Sequence, residues 1–233
     1  MRPRDVTPDL VARETERLLA TAAAFSDEAV LAPSLCEGWS RAHVLTHLAR
    51  NADALARVCR AGLTGSAETM YAADDVRDAE IEAGARRGAT DLVEDVRAAA
   101  DRLAPLLDRL GPQLEGRTVQ RTPGGRAVLV ARVPFLRLRE LLVHHVDLDA
   151  AFTFADVPAE LAELLLDHAA RTLREHPEAP SVEIRTDEGD VHVIGTGTAY
   201  VTGSRAAALL WLLRRRPDGI TCSTDLPDLP FGG

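Results

Sequence analysis

The apolar residues of this chain change period part-way along, and that change limits the fold more than any other feature of the sequence. In the first two thirds they recur at helical spacing in four long stretches. The first follows Thr7, a good N-cap, and Pro8, whose missing N–H costs nothing at the first helical position. Leu10, Val11, Leu18, Leu19, Ala22 and Phe25 carry it to about Ser26. The second follows Ser40, with Trp39 placed to staple onto Val44. It runs along Leu45, Leu48, Ala52, Leu55 and Cys59, with Gly62 and Gly65 as its end. The third spans residues 90–110, where Pro105 should bend it, and the fourth spans residues 136–152. Residues 64–87 are irregular apart from a short helix expected over 78–85. Between the third and fourth helices, Val119 and its neighbours, the turn Pro123-Gly124-Gly125 and residues 127–133 read as a hairpin that Pro134 ends.

Four helices with apolar faces make a bundle, here with a hairpin inserted before the last helix. The loop at residues 155–158 reads as a boundary, giving domains at 1–154 and 155–233. The second is a small α/β unit: a helix at 159–175, strands at 182–186, 191–194 and 199–202, a helix at 205–215 capped by Ser204, and a last strand near Ile220. The fold class is therefore α+β. Aromatic residues make up only 4%, so aliphatic and alanine side chains must build both cores.

The formal net charge of −9 argues against a general nucleic-acid binder, which needs a positive footprint. No stretch approaches the ~18 apolar residues of a membrane span, and the N-terminus lacks the apolar run of a secretory signal. Cys36, Cys59 and Cys222 are odd in number and widely spaced, so neither a disulfide framework nor a thiolate zinc site is indicated. A reduced, cytoplasmic protein is expected. Cys59 falls on an apolar stripe, and nothing near Cys36 in the sequence pairs it with a base.

Chemistry concentrates in two segments. Glu140 and His144 stand four apart, on one helix face a turn apart, so a carboxylate oxygen and an imidazole nitrogen can reach one ion. His145 is turned ~100° away. Asp147, three residues after His144, is placed to orient a ligand histidine. His43 and His47 on the second helix are also four apart, and either can add a third ligand. Such a His₂Glu set leaves a fourth position open, the mark of catalytic zinc. From spacing alone an ordinary solvated surface pair is the commoner outcome. Arg77 can reach across the mouth of the bundle to a carboxylate, or simply pair with Asp74 or Asp78 at the surface.

Several stretches resemble the mycothiol-dependent maleylpyruvate isomerase family, a branch of the DinB-like metal-binding bundles. They are Gly38-Trp39 through His43, His47 and Asp53; Met70-Tyr71 through Ala85; Val133 through Glu140 to Asp149; and the tail Asp225-Leu-Pro-Asp-Leu-Pro-Phe-Gly. The resemblance implies a DinB-like four-helix bundle with a small C-terminal domain, and zinc held by His47, Glu140 and His144. Arg77 then matches an arginine used at the family's active site. It also implies mycothiol, a thiol of actinobacteria, as cofactor, and isomerisation of maleylpyruvate to fumarylpyruvate in aromatic degradation. Two other readings stay open: a mycothiol S-transferase using the same zinc-bound thiolate, and a metal-stabilised binding protein without catalysis.

Overall fold

The structure is a computed structural model that describes residues 1–230. Phe231 and Gly232 of the tail motif lie outside the described residues. The chain divides into two compact units, Arg2–Ala150 and the chain from Ala151 onward.

In the first unit four long helices form the bundle: α1 (Pro8–Ala22), α3 (Arg41–Thr64), α5 (Ala89–Leu107) and α6 (Val133–Asp147). Two shorter helices, α2 (Asp27–Leu31) and α4 (Asp74–Gly84), sit between them in sequence. The central α3 packs on α4, α5 and α6, and α1 packs on α5 and α6. The core is aliphatic, with Leu18, Leu45, Leu48, Leu55, Val96 and Leu138 fully or nearly fully buried.

Local chemistry sets the boundaries. The Thr7 hydroxyl accepts from Leu10 N at 3.3 Å and opens α1. That helix stops at Ala22, before the expected Ser26, because Ser26 caps the separate α2 by accepting from Ala29 N. Gly62 does not end α3. It lies inside the helix, and a Cβ there would come within 2.8 Å of both Val130 methyls. Gly65, at φ 74°, ends it in the left-handed region. The helix α6 starts and stops earlier than the sequence suggests. Pro134 does not close the hairpin but opens this helix in its first turn, and Asp149 turns left-handed at φ 48°.

The helix α4 begins at Asp74, four residues before the expected start, which places Arg77 in its first turn. Gly84 near its end lies directly against Thr46 of α3, with no room for a Cβ beside the Thr46 methyl. Gly84→Ala should therefore destabilise the protein by ~1–3 kcal/mol, as overpacking does. Urea unfolding reads this, and an unchanged midpoint would refute the close-packing account.

The hairpin joins β1 (Thr118–Gln120) to β2 (Ala127–Leu129), with Val119 opposite Val128. Its first strand continues as a docking edge: Met70 N donates to Gln120 O at 2.9 Å and Tyr71 N to Arg121 O at 2.8 Å. These bonds fix the segment that leads into α4.

The second unit carries α7 (Ala159–Arg174), α8 (Arg205–Arg214) and a mixed four-stranded sheet of order β4-β3-β5-β6. The strands are β3 (Val182–Thr186), β4 (Val191–Ile194), β5 (Ala199–Gly203) and β6 (Thr221–Cys222), with β3 and β5 parallel. One sheet face buries Val182, Ile184, Ile194 and Val201, and Trp211 of α8 is 2% exposed. Among the described residues no helix is long and apolar enough to cross a membrane.

Candidate metal centre

Glu140 and His144 project from one face of α6, and His47 reaches them from α3. His47 Nε2 lies 2.9 Å from Glu140 Oε2, and His144 Nε2 lies 3.4 Å from the same oxygen. The two imidazoles meet edge to face with centroids 4.6 Å apart. One donor atom from each of the three residues falls within 4.8 Å of the others, close enough to share one metal ion. Three side chains singled out in the sequence therefore come together in space.

The other candidates separate. His43 turns away: its Nδ1 accepts from the Ser40 backbone at 3.2 Å, and its Nε2 faces Glu82. His145 leaves the centre as its rotation on the helix requires, bonding Thr21 Oγ1 at 2.7 Å. Asp147 is fully buried and accepts from His144 Nδ1–H at 2.7 Å, which fixes the ring with Nε2 toward Glu140.

Arg77 makes the surface pair the sequence allowed and one contact it did not foresee. It pairs with Asp78 at 2.7 Å, and its Nη2 lies 3.2 Å from His47 Nδ1. A guanidinium only donates, so His47 Nδ1 accepts, and the ring proton sits on Nε2, where it bonds Glu140. Burial pulls the His47 pKa down to about 4, so the ring is neutral near pH 7. Burial works the same way on His144 but is outweighed by hydrogen bonds to Asp147, Cys36 and Glu140, which hold it well above the ordinary histidine value. Burial would raise Glu140. The Arg139 charge and the two histidine N–H groups outweigh it and keep the carboxylate ionised well below the usual range. The three side chains are thus one anion, one cation and one neutral ring.

Three neighbours carried no role at the centre in the sequence reading. Trp39 lies against His47 with the rings tilted and 5.5 Å between centroids. Tyr71, nearly buried, lies between two guanidiniums, 5.9 Å from Arg77 and 5.1 Å from Arg121 to its ring centre. Burial raises its pKa, so it remains a hydroxyl donor. Cys36 does have a polar partner: its Sγ donates to Asp147 Oδ2 at 3.4 Å, across 111 residues of sequence. Beside the centre a pocket of about 510 Å³ is lined by Arg57, Tyr71, Val76, Arg77 and Gln120 among others.

Residues 11–149 match the mycothiol maleylpyruvate isomerase N-terminal domain family. The chain belongs to that family. The match spans all four bundle helices but the first turn of α1, so it covers His47, Arg77, Glu140 and His144. A family of isomerases makes this chain an enzyme by descent. Two solved structures are similar along nearly their whole length: the mycothiol-dependent maleylpyruvate isomerase and a histidine-to-alanine variant of it. Each gives a TM-score of 0.88, 24% identity and 99% coverage of both chains. At that identity the likeness establishes the fold, including the C-terminal α+β unit. No curated protein matches the chain in sequence.

Proposed function

We propose that this family member is a zinc- and mycothiol-dependent cis–trans isomerase converting maleylpyruvate to fumarylpyruvate. One observation carries the reading: His47, Glu140 and His144 converge on one point, with Arg77 against the outer edge of His47 and a pocket beyond it.

The donor set fits zinc. Two imidazoles and one carboxylate supply three ligands and leave a vertex free for an external one. His47 is already neutral and Glu140 already ionised, so the one net proton to be lost is that on His144 Nε2, while His47 shifts its ring proton from Nε2 to Nδ1. Held by His47, Glu140 and His144, zinc would lower the pKa of the cofactor thiol and so supply a thiolate nucleophile for a conjugated double bond. The protein's part is positioning and charge. Asp147 holds His144 through its Nδ1–H. Arg77 and the Tyr71 hydroxyl supply donors toward a carboxylate or a carbonyl oxygen gaining negative charge. The partners in this reading are small molecules, the substrate and the thiol, handled in the cytoplasm.

Loss of one proton per ion fixes a pH dependence. Above the His47 pKa of about 4 and below the raised pKa of His144, zinc affinity should rise ~tenfold per pH unit. Titrations against a chelator of known affinity measure this, and a flat profile would contradict the assignment of His144 as ligand.

The decisive assay is purified protein with maleylpyruvate, with and without mycothiol and with and without a chelator. Fumarylpyruvate formed only when both thiol and metal are present supports the isomerase. Inactivity there, with thiol conjugation of an epoxide or chlorinated electrophile, assigns the S-transferase instead. Inactivity in both would overturn the isomerase and the S-transferase readings alike.

A further inference from the structure

On the far side of the His144 ring a second group of donors converges, and it contains a thiol. Cys36, Asp147 and His144 each place one donor atom within 4.8 Å of the other two. Cys36 Sγ lies 3.4 Å from Asp147 Oδ2, and His144 Nδ1 lies 2.7 Å from the same oxygen. The imidazole thus turns one nitrogen to each group, Nε2 toward Glu140 and Nδ1 toward Asp147.

These donors are held in place by the backbone around them. Leu35 N donates to Asp147 O at 3.0 Å, tying the loop that carries Cys36 to the end of α6. Within that loop Cys36 N donates to Ser34 Oγ at 3.1 Å, and Cys36 O accepts from Trp39 N at 3.0 Å. Cys36 is 7% exposed and Asp147 0%. The spacing suits a cation: a tetrahedral ion with bonds of ~2.1 Å to oxygen and ~2.3 Å to sulfur sets those two donors ~3.6 Å apart. Among the described residues neither of the other cysteines joins such a group. Burial pushes the Cys59 thiol up to about 12, and Cys222 Sγ meets the Thr224 hydroxyl and the Asp225 carbonyl.

We propose that Cys36, Asp147 and His144 Nδ1 form a second metal site, one that takes a soft, thiophilic cation such as Cd²⁺. A thiolate selects soft ions, whereas two imidazoles and a carboxylate suit zinc. Binding releases two protons, one from the Cys36 thiol and one from His144 Nδ1, as the sulfur–metal and nitrogen–metal bonds form. The remaining ring proton then sits on Nε2 against Glu140, so His144 can no longer ligate zinc. A cation held here therefore blocks the first centre. That consequence rests on the reading of His47, Glu140 and His144 as a zinc site, and the second site itself does not.

Ultraviolet titration of the full chain with Cd²⁺, after a chelator has stripped it of metal, tests the site, because only a thiolate ligand gives sulfur-to-cadmium charge-transfer absorption. The band should grow to saturation, disappear in Cys36→Ser, and persist in Cys222→Ser and in His47→Ala. Serine keeps a hydroxyl donor to Asp147, so the fold is retained. Asp147→Asn keeps the shape but not the charge, and should weaken the ion at least ~tenfold. Cadmium bound first should block zinc uptake by the unaltered chain. Absence of the band would overturn the proposal. So would a band that survives Cys36→Ser or is lost in His47→Ala, unchanged affinity in Asp147→Asn, or undiminished zinc uptake. A chain that shows the band yet takes up no zinc even without cadmium would support this site and count against the first centre alone.

Discussion

Glu140→Gln should reduce bound zinc from about one ion per chain to near none and lower turnover by ~10³-fold or more, the several kcal/mol that a Lewis-acid metal supplies. The glutamine keeps the volume and an acceptor oxygen for the His47 and His144 N–H groups, so the bundle stays folded. What it lacks is the negative charge that a dication requires of this position. Glu140→Ala should lose zinc as well, but also stability. It leaves a charged His144 buried with Asp147 alone, and breaking a buried ion pair costs ~3–5 kcal/mol. Metal analysis and unfolding of the two variants side by side separate ligation from folding. A Gln variant that retains a full complement of zinc would remove Glu140 from the ligand set.

Arg77→Ala should lower kcat by ~10²–10³-fold, the scale of losing a donor aimed at developing negative charge. Zinc should stay, and the physical reason is more specific than distance. Arg77 donates to His47 Nδ1. Ligation through Nε2 moves the ring proton to Nδ1, so two donors then face each other. Metal loading thus favours release of the guanidinium toward the pocket it already lines. The alanine variant removes that opposition, and its zinc affinity should equal or exceed that of the unmodified chain. Chelator competition and steady-state kinetics on the same preparation measure both quantities. Loss of zinc on Arg77→Ala would make Arg77 a support of His47 and nothing more.

Much of this centre was legible in local sequence because helices impose their own geometry. The four-residue step from Glu140 to His144 puts both on one face whatever surrounds them, and the extra residue to His145 turns that ring toward Thr21. Asp147 follows from the same arithmetic. The choice between His43 and His47 did not. Both lie on α3 one turn apart, and only the approach of α6 beside the second of them decides, while Ser40 holds the first. Cys36 read as unpartnered because its acid partner comes from the end of α6. Tyr71 was visible only as part of a motif, since its place depends on backbone bonds to the hairpin.

Sequence by itself determined the elements: where apolar period, caps and prolines start helices, where turn residues close the hairpin, and which residues share a helix face. These rest on interactions within a few residues, which the chain carries wherever it goes. Tertiary structure alone decided which face meets which. It brought the 47 imidazole within hydrogen-bond reach of a carboxylate 93 positions away, and it buried one guanidinium at residue 137 with one nitrogen lacking an acceptor. Both depend on how closely two helices approach, which the packing of the whole core sets and no local pattern records.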